Sequence, residues 1–317
     1  MPRLPWTAIT GPKSITIFTD RGSGFDDRKY RRKEAAQGFL YILPSLVLIL
    51  VFSVVPILMS LYFSFTKYNV LQPPQWTGLD NYIRLFRDPY VRASLKNTVV
   101  FTVITVPLQT AGSLVLAAVI AELFHNKFGN FVKSSLFVPV IASAILVGTL
   151  WFTLLSPRGV VNSIIHAFGL PSVNWLGGKL TSMLSVCIVS VWKNVGYFLV
   201  IYFAGIMDIP RSLYEAAEVD GANAFQRFFK ITLPGLSSVT FLVVTLGTIW
   251  SFQVFDLVYT MTGGGPGTST VTLVLTTYNA AFKEYNMGYA SAVAMLMFVF
   301  VLAVSGLQKL LLKGGED

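Results

Sequence analysis

Apolar residues in this chain occur in long runs separated by shorter polar segments. Six runs are long enough for a bilayer core, which takes about 20 residues of helix per crossing. They cover residues 39–65, 97–122, 131–155, 180–207, 236–259 and 288–312. The pattern predicts an all-α membrane protein with six transmembrane helices, a membrane-spanning domain over 38–313 preceded by a polar tail, 1–37. Pro44, Pro56, Pro107 and Pro139 fall inside the runs, where embedded helices tolerate them if neighbours satisfy the carbonyls they release. The first run, Phe39 to Phe65, exceeds the roughly 7–15-residue core of a cleavable signal and reads as a retained span.

Composition agrees with this picture. The chain is 54% hydrophobic and 12% charged, with a mean hydropathy of +0.64; soluble proteins carry roughly 25% charged residues. The net charge is +9, but the basic residues flank apolar runs, so they speak for orientation in a bilayer and not for nucleic acid. With the N-terminus inside, fifteen Lys and Arg lie on the cytoplasmic side against eight outside, which predicts both termini in the cytoplasm. The tail carries a basic block, Arg28, Lys29, Arg31, Arg32 and Lys33. The first loop departs from the bias with Lys67, Arg84, Arg87, Arg92 and Lys96. Its Leu79, Tyr82, Ile83 and Phe86 have helical spacing, which fits an amphipathic helix on the outer interface or a plain connecting helix.

Little in the chain suggests catalysis. Cys187 is alone, and His125 and His166 lie in separate connecting segments, so neither a disulfide nor a clustered metal site is expected. The charged candidates within spans are Lys193, Asp256 and Glu122, with no histidine inside a span and no Gly-x-Ser-x-Gly elbow. The run Gly263 to Gly267 lacks the Lys-Ser/Thr of a phosphate loop. It predicts a tight turn before Ser269–Tyr278, a segment that could return partway into the membrane as a gate helix.

The segment 208–234 differs from the other connections in length and pattern. Asp208 can cap a helix that has Pro210 in its first turn, and residues 211–219 favour helix. Gly221 permits a sharp turn or a close backbone contact. A second helix over 222–230 places Phe225, Phe228 and Phe229 at i, i+3 and i+4 on one face, and Pro234 opens the next span. Such a helix–turn–helix can dock into a partner's groove or pack against its own spans.

The pattern Glu215-Ala216-Ala217, three residues, Gly221, nine residues, Ile231-Thr232-Leu233-Pro234 resembles the EAA loop of binding-protein-dependent ABC importer permeases. The resemblance implies a type I importer permease fold in a bacterial cytoplasmic membrane. It implies that Glu215, Ala216, Ala217 and Gly221 dock into an ATP-binding subunit, while Ile231, Leu233 and Pro234 fix the loop's return to the membrane. The stretch WSFQVFDLVYTMTGGGPGTST (Trp250 to Thr270) and Gly288-Tyr289-Ala290-Ser291-Ala292 are similar to the carbohydrate, maltose-type branch of that family. The resemblance covers about residues 35 to 312. It implies two ATP-binding subunits that use ATP and Mg, no cofactor bound by this chain, a second similar permease chain in a heterodimer, and an external solute-binding protein.

A pathway for solute requires polar side chains facing a cavity, because lipid-facing ones are costly. Ser190, Lys193, Asn194 and Tyr197 lie at i, i+3, i+4 and i+7 on the fourth span. Gly247, Ser251 and Val254 share a face of the fifth, with Trp250 and Gln253 beside them. These positions are similar to those lining the sugar site of maltose-type permeases, from which Lys193 is a departure. Lys193 could contact an anionic solute such as a uronate oligosaccharide or a glycerol phosphate, pair with Asp256, or snorkel.

Overall fold

A computed structural model describes residues 27–123 and 127–313. Residues 1–26 of the expected tail and His125 lie outside the described residues. The chain divides into two compact units, 1–56 and 57–317.

The first unit contains α1 (Asp27–Ile49) and a π-helical turn at Leu50–Val54. Helix therefore begins ten residues before the end of the expected tail. The widened turn is closed by the Val55 N–H on the Leu50 carbonyl, immediately before Pro56, which has no N–H to continue the ladder. The second unit opens with α2 (Val55–Ser64 in full). The apolar run Gln37–Ser64 reaches a mean hydropathy of 2.7 in its most apolar 18-residue window, none of which is buried.

A two-residue hairpin follows, β1 (Thr66–Lys67) antiparallel to β2 (Gln75–Trp76), and then α3 (Asp80–Arg87). Asn81 holds this corner together through its side-chain amide on the carbonyls of Ser64 and Thr66, each at 2.9 Å. On α3, Leu79, Ile83 and Phe86 are exposed, while Leu85 is buried and Tyr82 packs beside it.

The helical core consists of α4 (Pro89–Leu123), α8 (Lys179–Asp208), α12 (Ser237–Phe252) and α15 (Met287–Lys313). Helix α4 packs on α8 and α12, and α15 packs on α12. The seam between α4 and α8 buries Leu114, Ala117 and Ile120 against Phe198, Leu199, Tyr202 and Ile206. Among lipids, close packing and internally satisfied polar groups hold helices together. Thr98, Thr102 and Thr105 are all buried, and each returns its hydroxyl to the carbonyl four residues earlier.

The third expected span, 131–155, is two helices, α5 (Lys127–Ile141) and α6 (Ala144–Leu154), bent by 97°. Ser143 adopts ψ 134° between them, and Pro139 removes a hydrogen bond from the last turn of α5. The fifth, 236–259, ends early: α12 stops at Phe252, and a new helix α13 (Asp256–Met261) packs against α6. Asp256 supplies the acidic first residue that a helix start favours. Short elements complete the chain: α7 (Val160–Ala167), α9 (Arg211–Val219), α10 (Ala224–Arg227), a π turn at Phe228–Thr232, α11 (Leu233–Gly235), α14 (Leu273–Tyr278) and a π turn at Asn279–Lys283. Among the described residues, four helices meet the length and apolarity needed to cross a membrane, or up to six if each bent pair forms one span.

Candidate functional site

Two regions contain the residues singled out above. The first is the loop between α8 and α12. Asp208 ends α8, and Pro210, not Asp208, occupies the cap position of α9, at φ −55° and ψ 124°. Proline's fixed φ and missing N–H suit it to that boundary, so the aspartate has no capping role. Helix α9 ends in a Schellman motif: the Gly221 N–H bonds the Glu218 carbonyl at 3.0 Å and the Ala222 N–H bonds the Ala217 carbonyl at 2.8 Å. Gly221 sits at φ +74° with nothing within 4 Å of where a Cβ would stand. The turn therefore requires glycine, and no close contact does.

Asn223 then starts α10 with a capping box. Its Oδ1 accepts from the Gln226 N–H and its own N–H bonds Gln226 Oε1, both at 2.9 Å. The expected single helix over 222–230 is thus α10 followed by a π turn, again just before a proline, Pro234. Pro234 lies in α11 and does not open the span, which begins at Ser237 after a 70° bend. Tyr214 on α9 hydrogen-bonds Thr232 of the π turn at 2.9 Å. Ile231 and Leu233 are half-buried, with Leu233 against the α4–α8 core.

The outer side of this loop is open. Glu215, Ala216 and Gly221 are exposed and Ala217 is half-buried. Around them Leu213, Val219, Phe225 and Phe229 expose large apolar side chains, Val219 to 88%. The Phe225 and Phe229 rings meet at 4.6 Å, tilted by 49°, while Phe228 turns inward onto the core. The docking candidates on α9 and its cap thus lie together on an accessible surface. The return residues lie apart from them, toward the helices.

The second region joins α4, α8 and α12. Tyr197 and Trp250 place their rings 4.8 Å apart, with Phe198 5.4 Å from Trp250. Gly247 is buried, and a Cβ there would collide with the Gln109 amide nitrogen and approach the Phe198 ring at 3.7 Å. Ser251 hydrogen-bonds Thr105 at 3.1 Å. Asn194 reaches Ser190 at 3.5 Å, a weak contact. Gln253 caps α12 with its side chain exposed, and Val254 accepts a hydrogen bond from Thr272 on its carbonyl. The structure therefore brings Tyr197, Gly247, Trp250 and Ser251 together, and sets Gln253 and Val254 in the break that follows.

Lys193 has a partner that the sequence did not suggest. Its Nζ donates to the Val140 carbonyl at 3.2 Å, one of the last α5 carbonyls left free by the 97° bend. Asp256, exposed at the start of α13, acts on it only through space and forms no ion pair with it.

Thr105 and Gln109 are buried contributors from α4 that the reading of the fourth and fifth spans missed. Their signal was present in the sequence. Ser94, Thr98, Thr102, Thr105, Gln109 and Ser113 recur every three or four residues and all are buried. No group of three or more metal-ligating side chains occurs among the described residues.

The sequence and the fold have counterparts among known proteins. Residues 38–314 match the family described as binding-protein-dependent transport system inner membrane component. A Bacillus subtilis protein described as a probable ABC transporter permease is 37% identical over 283 residues, covering 88% of this chain and 97% of its own. The trehalose/maltose transport system permease protein of Thermococcus litoralis is 34% identical over 280 residues, 87% of this chain and 93% of its own. A crystal structure of a bacterial ABC transporter involved in the import of the acidic polysaccharide alginate has the same fold. It superposes with a TM-score of 0.81 at 24% identity, covering 92% of this chain and all of the matched one. With its apolar helices, exposed loop and family match, the chain belongs to the binding-protein-dependent transport system inner membrane components, as a multi-pass membrane protein.

Proposed function

We propose that this chain is one permease half of an ATP-driven carbohydrate importer that works by alternating access. The observation that carries the proposal is the exposed α9 surface with its glycine-dependent cap, set on a helical core related to a trehalose/maltose permease. Each bent helix pair forms one span, giving six, with both termini and the loop 208–234 in the cytoplasm. Glu215, Ala216, Ala217 and Gly221 dock into an ATP-binding subunit, and Ile231, Leu233 and Pro234 anchor the loop. Two such subunits hydrolyse ATP with Mg, and this chain binds no cofactor. A second permease chain completes a heterodimer, and an external solute-binding protein delivers the solute.

Solute passes along the face formed by Ser190, Lys193, Asn194, Tyr197, Gly247, Trp250, Ser251, Gln253 and Val254. The Tyr197–Trp250 pair suits the apolar faces of sugar rings, and the polar side chains suit hydroxyls. An ammonium has three donors, and Val140 takes one of those of Lys193. The others can serve an acidic sugar. ATP-driven uptake into vesicles carrying the complete complex tests this. Lys193→Met should lower import of a uronate oligosaccharide relative to a neutral sugar by about tenfold, the scale of one hydrogen bond to a charged group. Equal loss for both would assign Lys193 to holding α5 instead.

A further inference from the structure

Arg227 ends α10, and its guanidinium reaches carboxylates on two other elements. Nη1 donates to Glu218 at 2.9 Å, and Nη2 donates to Glu122. Glu218 is the penultimate residue of the docking helix α9, and Glu122 is the penultimate residue of α4. The Arg227 side chain is 16% exposed, against 43% for Glu122 and 61% for Glu218. By contrast, the Arg211–Glu215 pair lies within one helix with both side chains exposed, and links nothing.

Exposed ion pairs contribute little. A mostly buried guanidinium shared by two acids is different, because removing a partner strands a desolvated charge. Its fork also fixes direction as well as distance. Helix α4 carries Thr105 and Gln109 to the pathway residues of α12. A displacement of α9 must therefore move the end of α4 or break the link through Arg227.

We propose that Arg227 is a positioning residue that ties the docking helix to the second span, so that a movement imposed on α9 reaches the solute pathway. This rests on the importer reading above. Beside it runs an apolar route, the inward-turned Phe228 against the α4–α8 core, and the experiment must separate the two.

The chain's only cysteine, Cys187, is fully buried, so Gln253→Cys gives a reporter at the exposed end of α12. The complete complex carrying it is treated with a sulfonate-bearing methanethiosulfonate reagent, with and without a non-hydrolysable ATP analogue. With Arg227 intact, the analogue should change the labelling rate by at least about fivefold; with Arg227→Met the change should fall below about twofold. ATP-binding subunits should still co-purify and hydrolyse ATP. Glu122→Gln, which removes the charge of the α4 arm but keeps an acceptor for the guanidinium, should act in the same direction and more weakly. Reversing all three charges (Arg227→Glu, Glu122→Arg, Glu218→Lys) should restore the response. An undiminished response in Arg227→Met would overturn the proposal and place transmission on the loop's other links, Phe228 against the core and Tyr214 to Thr232. Loss of the ATP-binding subunits in Arg227→Met would also overturn it, because Arg227 would then belong to the docking surface. If the intact chain recovers no such subunit, the importer reading fails and the link falls with it.

Discussion

Replacing Gly221 with valine should weaken binding of the ATP-binding subunit roughly ten- to thirtyfold. The turn after α9 holds Gly221 at φ +74°, a conformation that costs a residue with a Cβ about 1–2 kcal/mol, and β-branching makes it worse. Because nothing else lies within 4 Å of the Cβ position, the penalty comes from the residue's own backbone and not from a packed neighbour. The Schellman bonds from Gly221 and Ala222 set the path from α9 into the capping box of Asn223, so the substitution redirects the docking surface itself. Each factor of ten corresponds to about 1.4 kcal/mol. Gly221→Asn should retain most of the binding, since asparagine tolerates this region. Binding titrations of purified subunits would check both, and normal affinity in the valine variant would remove the turn from the docking account.

A Gly196→Ala change should destabilise the chain more than any other single methyl discussed here. A Cβ on Gly196 would overlap the Leu136 carbonyl oxygen and lie 2.7 Å from its carbonyl carbon. The obstacle is backbone, so no side-chain rotation relieves it. Helix α5 must move off α8, and with it the Val140 carbonyl that Lys193 holds. Overpacking of this kind costs about 1–3 kcal/mol, which should lower the unfolding midpoint in detergent by about 5 °C. Gly306→Ala, inside α15 with nothing within 4 Å, is the control and should hold the midpoint or raise it by a few degrees, since alanine favours helix over glycine by about 0.5–1 kcal/mol. Equal midpoints for the two variants would mean that α5 does not rest on α8 as described.

The sequence made some of these features legible because their physics is local. The helices and turn of the loop 208–234 were legible through residues whose roles act over a few positions: proline at a helix start, glycine in a left-handed turn. The stripe Ser190, Lys193, Asn194 and Tyr197 was readable because helical spacing alone puts it on one face. The bends were not readable. A hydropathy window spans the break at Ala142–Ser143 as smoothly as a straight helix, and the bend is set by the backbone at Ser143 and by partners on α8. The early end of α12 was hidden in the same way, since Phe252 to Tyr259 are apolar except for Gln253 and Asp256 and a hydropathy window averages over both. The partner of Lys193 lies 53 residues away in the chain, and no local pattern marks it. The polar stripe of α4 was visible but reads as ordinary threonines until α12 is seen to press against it.

The most direct test of the importer assignment is the composition of the assembly. The tagged chain would be extracted from its native host in mild detergent and the co-purifying chains identified by mass spectrometry. The account predicts an ATP-binding subunit and a second permease chain, with the ATP-binding subunit lost when Gly221 is replaced by valine. Recovery of this chain alone, under conditions that keep other membrane complexes intact, would contradict it.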